Sequence, residues 1–466
     1  MQDLNLTDQW RQSYHIMPEQ GWLNDPNGLI HFDDYYHIYY QYVPESATGG
    51  KTHWGHKRSK DLLHFEDCPI FMSPDFEFDR DGVYSGSAIE YQGKIHYFYT
   101  GNVKLKGDYD YIYSGREQNT VHVVSPDGLT IESRSVVIPH QAYPAGFTDH
   151  IRDPKVFAHD NRFIMLLGGR RADHHGSILL YQSKNLEDWQ YMGEVLTAED
   201  QMGYMWECPD FFSLAQQDIL VFSPQGIQEQ DYQFNNRHVA GYLIGSMDWQ
   251  GNKFTPQKAF KEFDRGFDFY APHTFQDAKG RRILIAWFGL GDIKPEYTNP
   301  TIARGWQHCL TMPRELYWSR DNLCQRPLPE YQQLRQKQGQ ADFTADQSLS
   351  IDLEQAAFEF ILTWPISPQS FEIRLRQDTL LTYDEKGILC LKHGPSGYGR
   401  NYRSIQLDAI NQLQIFSDAS SLEIFINDGL YTMSTRIYPQ KDQNKVNVQS
   451  SADGSIHYWQ LGQKEG

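Results

Sequence analysis

The sequence lacks the features that mark membrane proteins and nucleic-acid-binding proteins. No apolar run approaches the ~20 residues that cross a bilayer. The 42 basic residues are outnumbered by 60 acidic ones, which gives a formal net charge of −18. Because a chain of this sign is repelled by phosphate backbones and by anionic lipid surfaces, we expect neither nucleic acid nor a membrane as a partner.

Cysteine is scarce, and its pattern excludes a disulfide framework. The five cysteines are Cys68, Cys208, Cys309, Cys324 and Cys390. Their odd number and the lack of CxxC spacing favour reduced thiols in a cytoplasmic protein. The first 15 residues have neither a basic start nor an apolar stretch, so we expect no signal peptide.

Cofactor-binding signals are also missing. There is no GxGxxG or GxxxxGK[ST] arrangement, and the serines of Ser85–Ser87 are not in a GxSxG motif. His174 and His175 are adjacent, not at metal-ligand spacing, and a solvated polar loop explains them better. We therefore expect no cofactor and no metal.

A repeated pattern is the most informative feature that is present. Each copy has a small or proline-containing elbow, a short apolar strand, a polar turn and then a stronger β-rich strand. The copies are Asn24–Tyr42, Ser85–Gly101, Arg152–Gly169, Glu207–Gly226 and Ala271–Gly289. Four-stranded units repeated about an axis form a β-propeller, so five copies predict five blades.

The 466 residues exceed what one ordinary core organises, so we expect two domains. Residues 1–330 contain the repeats and are predicted as the propeller. Residues 331–347 are Gln-rich and polar, which is typical of a linker that is partly helical. Residues 348–466 return to period-2 alternation with a hairpin signal at 427–429, which predicts a β-sandwich. The fold class is therefore all-β, a five-bladed β-propeller followed by a C-terminal β-sandwich.

Three of the five elbows contain an acid, namely Asp25, Asp153 and Glu207. Taken alone, the Asn-Asp-Pro-Asn-Gly segment around Asp25 is typical of a turn. Asp25 and Asp153 both precede proline, which disfavours helical geometry and predicts an extended backbone. If the copies are equivalent parts of one closed ring, the three carboxylates converge at its axis.

The neighbours of the acids predict different protonation states. Asp153 follows Arg152, whose charge would keep it ionised. Glu207 has apolar neighbours that would raise its pKa, as a general acid requires. Asp25 lies among the backbone N–H groups of a tight loop, which would keep it an anion able to attack. Two carboxyls in split states are typical of glycoside hydrolysis, and the third can hold hydroxyls or stabilise developing positive charge.

Eight motifs together resemble glycoside hydrolase family 32, the β-fructofuranosidases. They are WLNDPNG, HWGH, SKDLLHF, FDRDGVYSGSA, RDPKVF, YMWECPD, FDFYAPHTF and RGWQHCLTMPREL. The likeness spans nearly the whole chain, and the motifs follow the order they have in the family. It implies a five-bladed propeller with a following β-sandwich and no cofactor.

The resemblance implies a role for each acid. Asp25 matches the nucleophile, Asp153 the transition-state stabiliser and Glu207 the acid/base of a retaining double displacement. The positions that match sugar-binding residues are Asn24, Gln41, Trp54, Phe78, Ser85 and Arg152, with Tyr270 and Trp306 nearer the rim. For the aromatic residues of this set, packing in a blade core is the alternative interpretation.

The segments TGNVK, GYMWECPD and SPQGI are most similar to the bacterial branch that hydrolyses sucrose 6-phosphate. The expected substrates are sucrose 6-phosphate, sucrose or both. Because the chain is acidic, a phosphorylated sugar requires a local cationic patch. The candidates are Lys51, Lys57, Arg58, Arg170 and Arg171.

Other functions stay open at this point. The nearest alternative is a phosphate-independent enzyme that acts on sucrose or short fructans. A transfructosylase would hand fructose to another sugar, and a carbohydrate-binding propeller without activity would need no pair of carboxyls in split states. A monomer and a homodimer are equally compatible with the sequence.

Overall fold

The computed structural model describes residues 8–199 and 201–462, and strands dominate it. Residues 1–7, part of the N-terminal segment expected to lack a signal peptide, lie outside the described residues, as do residue 200 and residues 463–466. The helices in the described part are short 3₁₀ turns at His140–Ala142, Pro300–Arg304, Pro329–Leu334 and Pro395–Gly397. None of the helices within 8–199 and 201–462 has the length and hydropathy to span a bilayer.

Five antiparallel sheets occupy the first two thirds of the chain. Blade 1 contains β1 (Gly21–Phe32), β2 (Tyr35–Val43), β3 (His53–Ser59) and β4 (Phe65–Met72). Blade 2 contains β5 (Val83–Tyr91), β6 (Lys94–Lys104), β7 (Arg116–Ser125) and β8 (Ser133–Ile138). Blade 3 contains β9 (Phe147–His159), β10 (Arg162–Arg171), β11 (Gly176–Ser183) and β12 (Gln190–Thr197). Blade 4 contains β13 (Met205–Leu214), β14 (Gln217–Gln225), β15 (Gly241–Asp248), β16 (Lys253–Pro256) and β17 (Lys261–Glu262). Blade 5 contains β18 (Tyr270–Gln276), β19 (Arg282–Trp287), β21 (Arg314–Ser319) and β22 (Asn322–Pro327), and β20 (Trp306–Gln307) lies between β19 and β21 in sequence.

The five sheets close into a ring. The first strand of each blade contacts the first strand of the next, in the order β1, β5, β9, β13 and β18, and β18 contacts β1 again. β20 leaves blade 5 and pairs in parallel with β1, which joins the last blade to the first. The five-bladed propeller predicted from the repeats is confirmed, and radial closure leaves few exposed strand edges.

The elbows of the repeats are β-bulges. In every blade, two residues of the first strand lie opposite one residue of the second strand. The doubled positions are 24–25, 84–85, 153–154, 208–209 and 271–272. A bulge bends its strand and redirects the side chains beside it. Because all five blades have this bulge, the small or proline-containing elbow recurs at the same place in all five repeats.

The remaining strands form two packed six-stranded sheets. One sheet contains β23 (Arg335–Phe343), β25 (Phe358–Thr363), β30 (Gln412–Asp418), β31 (Ser421–Ile426), β32 (Tyr431–Arg436) and β34 (Gly454–Leu461). The other contains β24 (Ser348–Asp352), β26 (Phe371–Leu375), β27 (Thr379–Tyr383), β28 (Ile388–His393), β29 (Tyr402–Gln406) and β33 (Lys445–Ser450). Apolar residues of both sheets fill the space between them, and the predicted β-sandwich is confirmed.

The prediction that residues 331–347 form a linker is wrong, because most of this segment belongs to the β-sandwich. The larger part of the segment is the strand β23, which pairs with β34 at the edge of one sandwich sheet. The side chains of β23 are mostly exposed, and an edge strand with polar side chains has the composition of a linker. Only the 3₁₀ turn Pro329–Leu334 and the few residues around it connect the domains.

Candidate active site

The bulges bring the three acids of the elbows close to one another around Cys208. The thiol of Cys208 lies 3.9 Å from Asp25 Oδ2 and 3.7 Å from Asp153 Oδ2. The backbone N–H of Cys208 donates to Asp153 Oδ2 at 3.0 Å. Cys208 follows Glu207 directly, so blades 1, 3 and 4 each direct one acid toward the same point.

The backbone is left-handed at three of these bulges, and one of the three residues, Asp153, was predicted to be extended. Asp25, for which the same prediction was made, lies in β1 without a positive φ. Asp153 has φ 64°, Cys208 φ 48° and Ala271 φ 46°, and each of them precedes a proline. The proline excludes right-handed helical geometry at the preceding residue, and the bulge selects the left-handed region instead of the extended one. Such a conformation costs about 1–3 kcal/mol and is concentrated at functional sites.

Asp25 accepts hydrogen bonds from neutral donors on two blades. The Ser85 hydroxyl donates to Asp25 Oδ2 at 2.6 Å, and the Asn24 amide donates to Oδ1 at 3.1 Å. Gln41, the residue opposite the bulge, receives a hydrogen bond from Asn24 at 2.6 Å and donates to Ser85 at 2.8 Å. Asn24, Gln41 and Ser85, all predicted from the sequence, therefore form one network that fixes both oxygens of Asp25.

Glu207 has the most polar surroundings of the three acids. Arg152 donates to Glu207 Oε1 from Nε at 3.1 Å and from Nη2 at 2.5 Å. The Tyr270 hydroxyl and the Gln225 amide each donate to Oε2 at 2.6 Å. The expected apolar pocket around Glu207 is therefore wrong, and Tyr270, expected nearer the rim, contacts Glu207 directly.

The pKa directions follow from these contacts. Burial raises the pKa of Asp25 to about 6, although the hydrogen bonds from Ser85 and Asn24 oppose this shift. Burial raises the pKa of Asp153 to about 7 against the nearby charge of Arg152. Burial also disfavours the anion of Glu207, but the Arg152 charge and the hydrogen bond from Tyr270 outweigh it, so its pKa lies below the usual value.

The expected order of the two pKa values, with Asp153 below Glu207, is thus reversed. The reason is the direction of the Arg152 side chain, which reaches across to blade 4 instead of staying with its neighbour in sequence. On its other side, Arg152 Nη1 donates to His150 Nδ1 at 2.6 Å and to Gln118 Oε1 at 3.3 Å.

The three remaining aromatic candidates pack mainly in the interior. Trp54 is fully buried among the tyrosines of blades 1 and 2, and its indole N–H donates to the Tyr84 carbonyl at 3.0 Å. Trp306 is 1% exposed and donates to Asp8 at 2.7 Å, in a buried cluster that also contains Trp10 and Tyr438. Because both indole rings are enclosed, neither Trp54 nor Trp306 has an exposed face that a sugar could contact. Phe78 is half-buried and stacks on Phe76, with ring centroids 5.0 Å apart.

Two further residues of the site were missed from the sequence. Gln225 contacts Glu207 from the neighbouring strand β14, where the register places it opposite Met205. Asn27 holds the first elbow, since its amide donates to the Asp25 carbonyl at 3.1 Å and its oxygen accepts from Gly86 N–H at 2.9 Å. A strand register would have revealed Gln225, whereas the Asn27 contact depends on the packing of blade 2 against blade 1.

Comparisons with known proteins agree with this site. Residues 15–327 match the description "Glycosyl hydrolases family 32 N-terminal domain", and residues 330–461 match "Glycosyl hydrolases family 32 C terminal". The chain is 36% identical over 465 residues to a sucrose-6-phosphate hydrolase from Bacillus subtilis (strain 168), covering 98% of this chain and 95% of that protein. It is 35% identical over 458 residues to a raffinose invertase from Escherichia coli, covering 96% and 93%.

A solved structure has the same architecture along the whole chain. The sucrose-6-phosphate hydrolase from Lactobacillus gasseri superposes with a TM-score of 0.89 at 29% identity, covering 99% of this chain and 95% of that one. Both family descriptions match consecutive parts of this chain, and relatives above 30% identity span almost all of it. The chain therefore belongs to glycosyl hydrolase family 32.

Proposed function

We propose that this enzyme is a β-fructofuranosidase that hydrolyses sucrose 6-phosphate and sucrose with retention of configuration. The observation that supports this most directly is the pair of carboxyls, Asp25 and Glu207, that face one cavity with different partners. Asp25 is held by neutral donors and Glu207 by a cation. Two carboxyls in different environments can take the separate roles that glycoside hydrolysis requires.

In the first step, Asp25 attacks the anomeric carbon of the fructosyl unit. The bond from that carbon to the glycosidic oxygen breaks, and Glu207 delivers its proton to the leaving oxygen. A fructosyl ester of Asp25 results. Ser85 and Asn24 fix the two oxygens of Asp25, so the attacking atom is oriented before the sugar arrives.

Glu207 must gain a proton before it acts as the acid. The hydroxyls of the sugar compete for the Arg152 guanidinium, which is the group that lowers the pKa of Glu207. As Arg152 turns to the sugar, the pKa of Glu207 rises and the carboxyl takes up a proton. In the second step, Glu207 removes a proton from water, the water attacks the anomeric carbon, and the ester bond to Asp25 breaks.

Asp153 completes the proposed site without taking part in bond formation. The backbone N–H of Cys208 and the bulge fix its carboxylate beside Asp25. From this position it accepts hydrogen bonds from fructose hydroxyls and stabilises the positive charge that develops on the ring.

A comparison of substrates tests the proposal. We would measure kcat/KM of the purified chain for sucrose, sucrose 6-phosphate and short inulin oligomers, and determine the anomer first formed by NMR. Hydrolysis of sucrose 6-phosphate at least tenfold better than sucrose, or about 1.4 kcal/mol, supports the phosphorylated substrate. A smaller ratio favours the phosphate-independent enzyme, which the raffinose invertase among the relatives also supports. An inverted product would exclude the double displacement.

The state of the cysteines supports a cytoplasmic location for this reaction. All five lie within the described residues and none is paired in a disulfide. Unpaired thiols, two of them only half-buried, suit a reducing compartment.

A further inference from the structure

Blades 2 and 3 together present a group of basic and hydroxyl side chains that no step of the proposed reaction uses. The group consists of Arg170 at the end of β10, His174 in the turn that follows, and Tyr113 in the loop between β6 and β7. Arg170 Nη2 lies 3.2 Å from His174 Nδ1, and the Tyr113 hydroxyl lies 3.1 Å from His174 Nε2. Tyr113 and His174 are exposed and Arg170 is half-buried, so a ligand can reach them.

The Arg170 guanidinium has no acidic partner among the residues that the structure describes. Its contacts are the His174 ring and the face of Tyr204, whose centroid lies 4.6 Å from the guanidinium carbon. Arg170 Nε is buried and has no hydrogen-bond acceptor within 8–199 and 201–462. Because arginine does not lose its proton in proteins, this side chain offers an uncompensated positive charge with a free donor.

Most of the other basic residues singled out from the sequence are already paired with carboxylates. The ion pairs are Lys57–Asp67, Arg58–Glu66, Arg171–Asp173 and Arg171–Glu194. A charge that is already compensated attracts an added anion less strongly. Lys51 is exposed in the loop between β2 and β3 of blade 1, the blade that contains the proposed nucleophile Asp25 and not the proposed general acid. Of the five candidates, Arg170 is therefore the one that has no carboxylate partner in the described part of the chain and also lies on a blade next to Glu207.

Arg170 also lies close to the segment that contains the proposed general acid, Glu207. A general acid faces the leaving group, so the leaving sugar lies beyond Glu207. Blade 3 packs directly against the start of β13, since a Cβ on Gly168 would come within 2.1 Å of the Trp206 carbonyl oxygen. Tyr204, the ring beneath Arg170, belongs to the same segment as Glu207. The Arg170 guanidinium therefore lies close to the start of β13, the strand that contains the proposed proton donor Glu207.

We propose that Arg170, together with His174 and Tyr113, binds the phosphate of the leaving glucose 6-phosphate unit. This assignment rests on the proposed function. A sugar phosphate bears about 1.5 to 2 negative charges near neutral pH, and the planar fork of arginine matches its oxygens with two parallel hydrogen bonds. When Arg170 donates to His174 Nδ1, the neutral ring has its proton on Nε2 and donates to the Tyr113 oxygen. The Tyr113 O–H then remains to donate to the phosphate.

The ratio of kcat/KM for sucrose 6-phosphate to kcat/KM for sucrose tests this assignment in the full chain. We expect Arg170→Ala to lower this ratio at least tenfold, because only one of the two substrates has the phosphate. Arg170→Lys keeps the charge without the fork, so its ratio should lie between those of Arg170→Ala and the wild type. Arg171→Ala is the matched control, since it removes the same charge from the next residue, which is already paired. Its ratio should stay within twofold of the wild type.

Each other outcome has a definite meaning. If the wild type hydrolyses neither sugar, the proposed function itself is wrong. If the wild type is active but Arg170→Ala lowers both rates equally, or neither, the phosphate assignment is wrong and the hydrolase proposal stands. An equal fall for Arg171→Ala would mean that net charge, not a local site, sets the preference. If Arg170→Ala does not fold, Tyr113→Phe replaces it, and an unchanged ratio in that variant also overturns the assignment.

Discussion

Arg152 of blade 3 donates two hydrogen bonds to one oxygen of Glu207 in blade 4, at 3.1 and 2.5 Å. The nearest carboxylate in sequence, Asp153, receives its backbone hydrogen bond from Cys208 instead. The proposed acid/base residue, Glu207, therefore starts as a partner of Arg152, which is also proposed to bind the sugar. This arrangement links substrate binding to the proton that the leaving oxygen needs, and it determines what each substitution below should do.

We predict that Asp25→Ala abolishes hydrolysis and leaves the fold intact. Removal of the attacking group should lower kcat by at least about 10³-fold, or ~4 kcal/mol of transition-state stabilisation. Stability should change little, because Asn24, Gln41 and Ser85 remain bonded to one another. Steady-state kinetics on sucrose and thermal unfolding by circular dichroism measure both effects. Residual activity above about 10% of the wild type would remove Asp25 from its role.

We predict that the damage from Glu207→Gln depends on the leaving group. Glutamine keeps the size of the side chain and an oxygen for Arg152, but it cannot protonate the glycosidic oxygen. The variant should lose about 10²–10⁴-fold on sucrose, which has a poor leaving group. It should lose much less on a nitrophenyl β-fructofuranoside in the fructosyl-transfer step.

Added azide should restore turnover of the nitrophenyl substrate by Glu207→Gln, since azide attacks the fructosyl ester without a general base. The product should be the β-fructosyl azide, identified by NMR. An Asp25→Ala control should show no such rescue with retention. Failure of both the leaving-group effect and the azide rescue would assign the acid to another residue.

The propeller could be predicted because its signal is local and repeated. The second strands of the blades begin at or next to the residues where the β-rich halves of the repeats begin, as at Lys94, Arg162 and Arg282. The bulges could not be predicted, since two residues opposite one is a property of strand pairing. They bend the strand locally, and Asp153, which lies in one of them, has a left-handed backbone instead of an extended one.

The partners of the acids were harder to predict than the acids themselves. The Arg152–Glu207 pair forms only when blades 3 and 4 lie side by side, so sequence adjacency pointed to Asp153 instead. The polar edge strand β23 was mistaken for a linker for a related reason, because its partner β34 lies more than 100 residues away in sequence. Asn24, Gln41 and Ser85 contact one another around Asp25, since they lie in two of the bulges or opposite one.

We predict that the ionisation of Asp25 is visible in the rate of fructosyl transfer. In the Glu207→Gln background with a nitrophenyl substrate, kcat/KM no longer depends on the protonation of Glu207. It should rise with pH in a first limb as Asp25 ionises, below the limb that belongs to Asp153. Burial raises the pKa of Asp25 to about 6, and loss of the Glu207 charge should place the limb somewhat below this value. The rate should be lost as pH falls through the limb.

Ser85→Ala, added to that background, should move the limb to higher pH. The Ser85 hydroxyl stabilises the anion of Asp25, so its removal favours the protonated form. Ser87→Ala is the matched control, because Ser87 is a buried serine of the same strand that donates to the Pro154 carbonyl and not to an acid. A limb that shifts equally in both variants, or in neither, would contradict the assignment of the titration to Asp25.

We predict that the interface between the domains depends on one buried arginine. Arg314 of β21 is fully buried and pairs with Glu423 of the sandwich at 2.5 Å and with Asp264 at 3.2 Å. Arg314→Ala removes the guanidinium from both buried carboxylates and leaves Glu423 with the His15 ring at 2.9 Å, which should lower the free energy of unfolding by about 3–5 kcal/mol. Urea unfolding followed by tryptophan fluorescence measures this loss.

Arg326→Ala is the control for that substitution. Arg326 lies on the adjacent strand β22 and pairs with Glu315 at 2.9 Å, but its side chain is 52% exposed. Because solvent screens such a pair, its removal should cost no more than about 1 kcal/mol. If the two substitutions destabilise the protein to the same small extent, the carboxylates of the interface are stabilised by their other donors, and the buried arginine is not what joins the sandwich to the propeller.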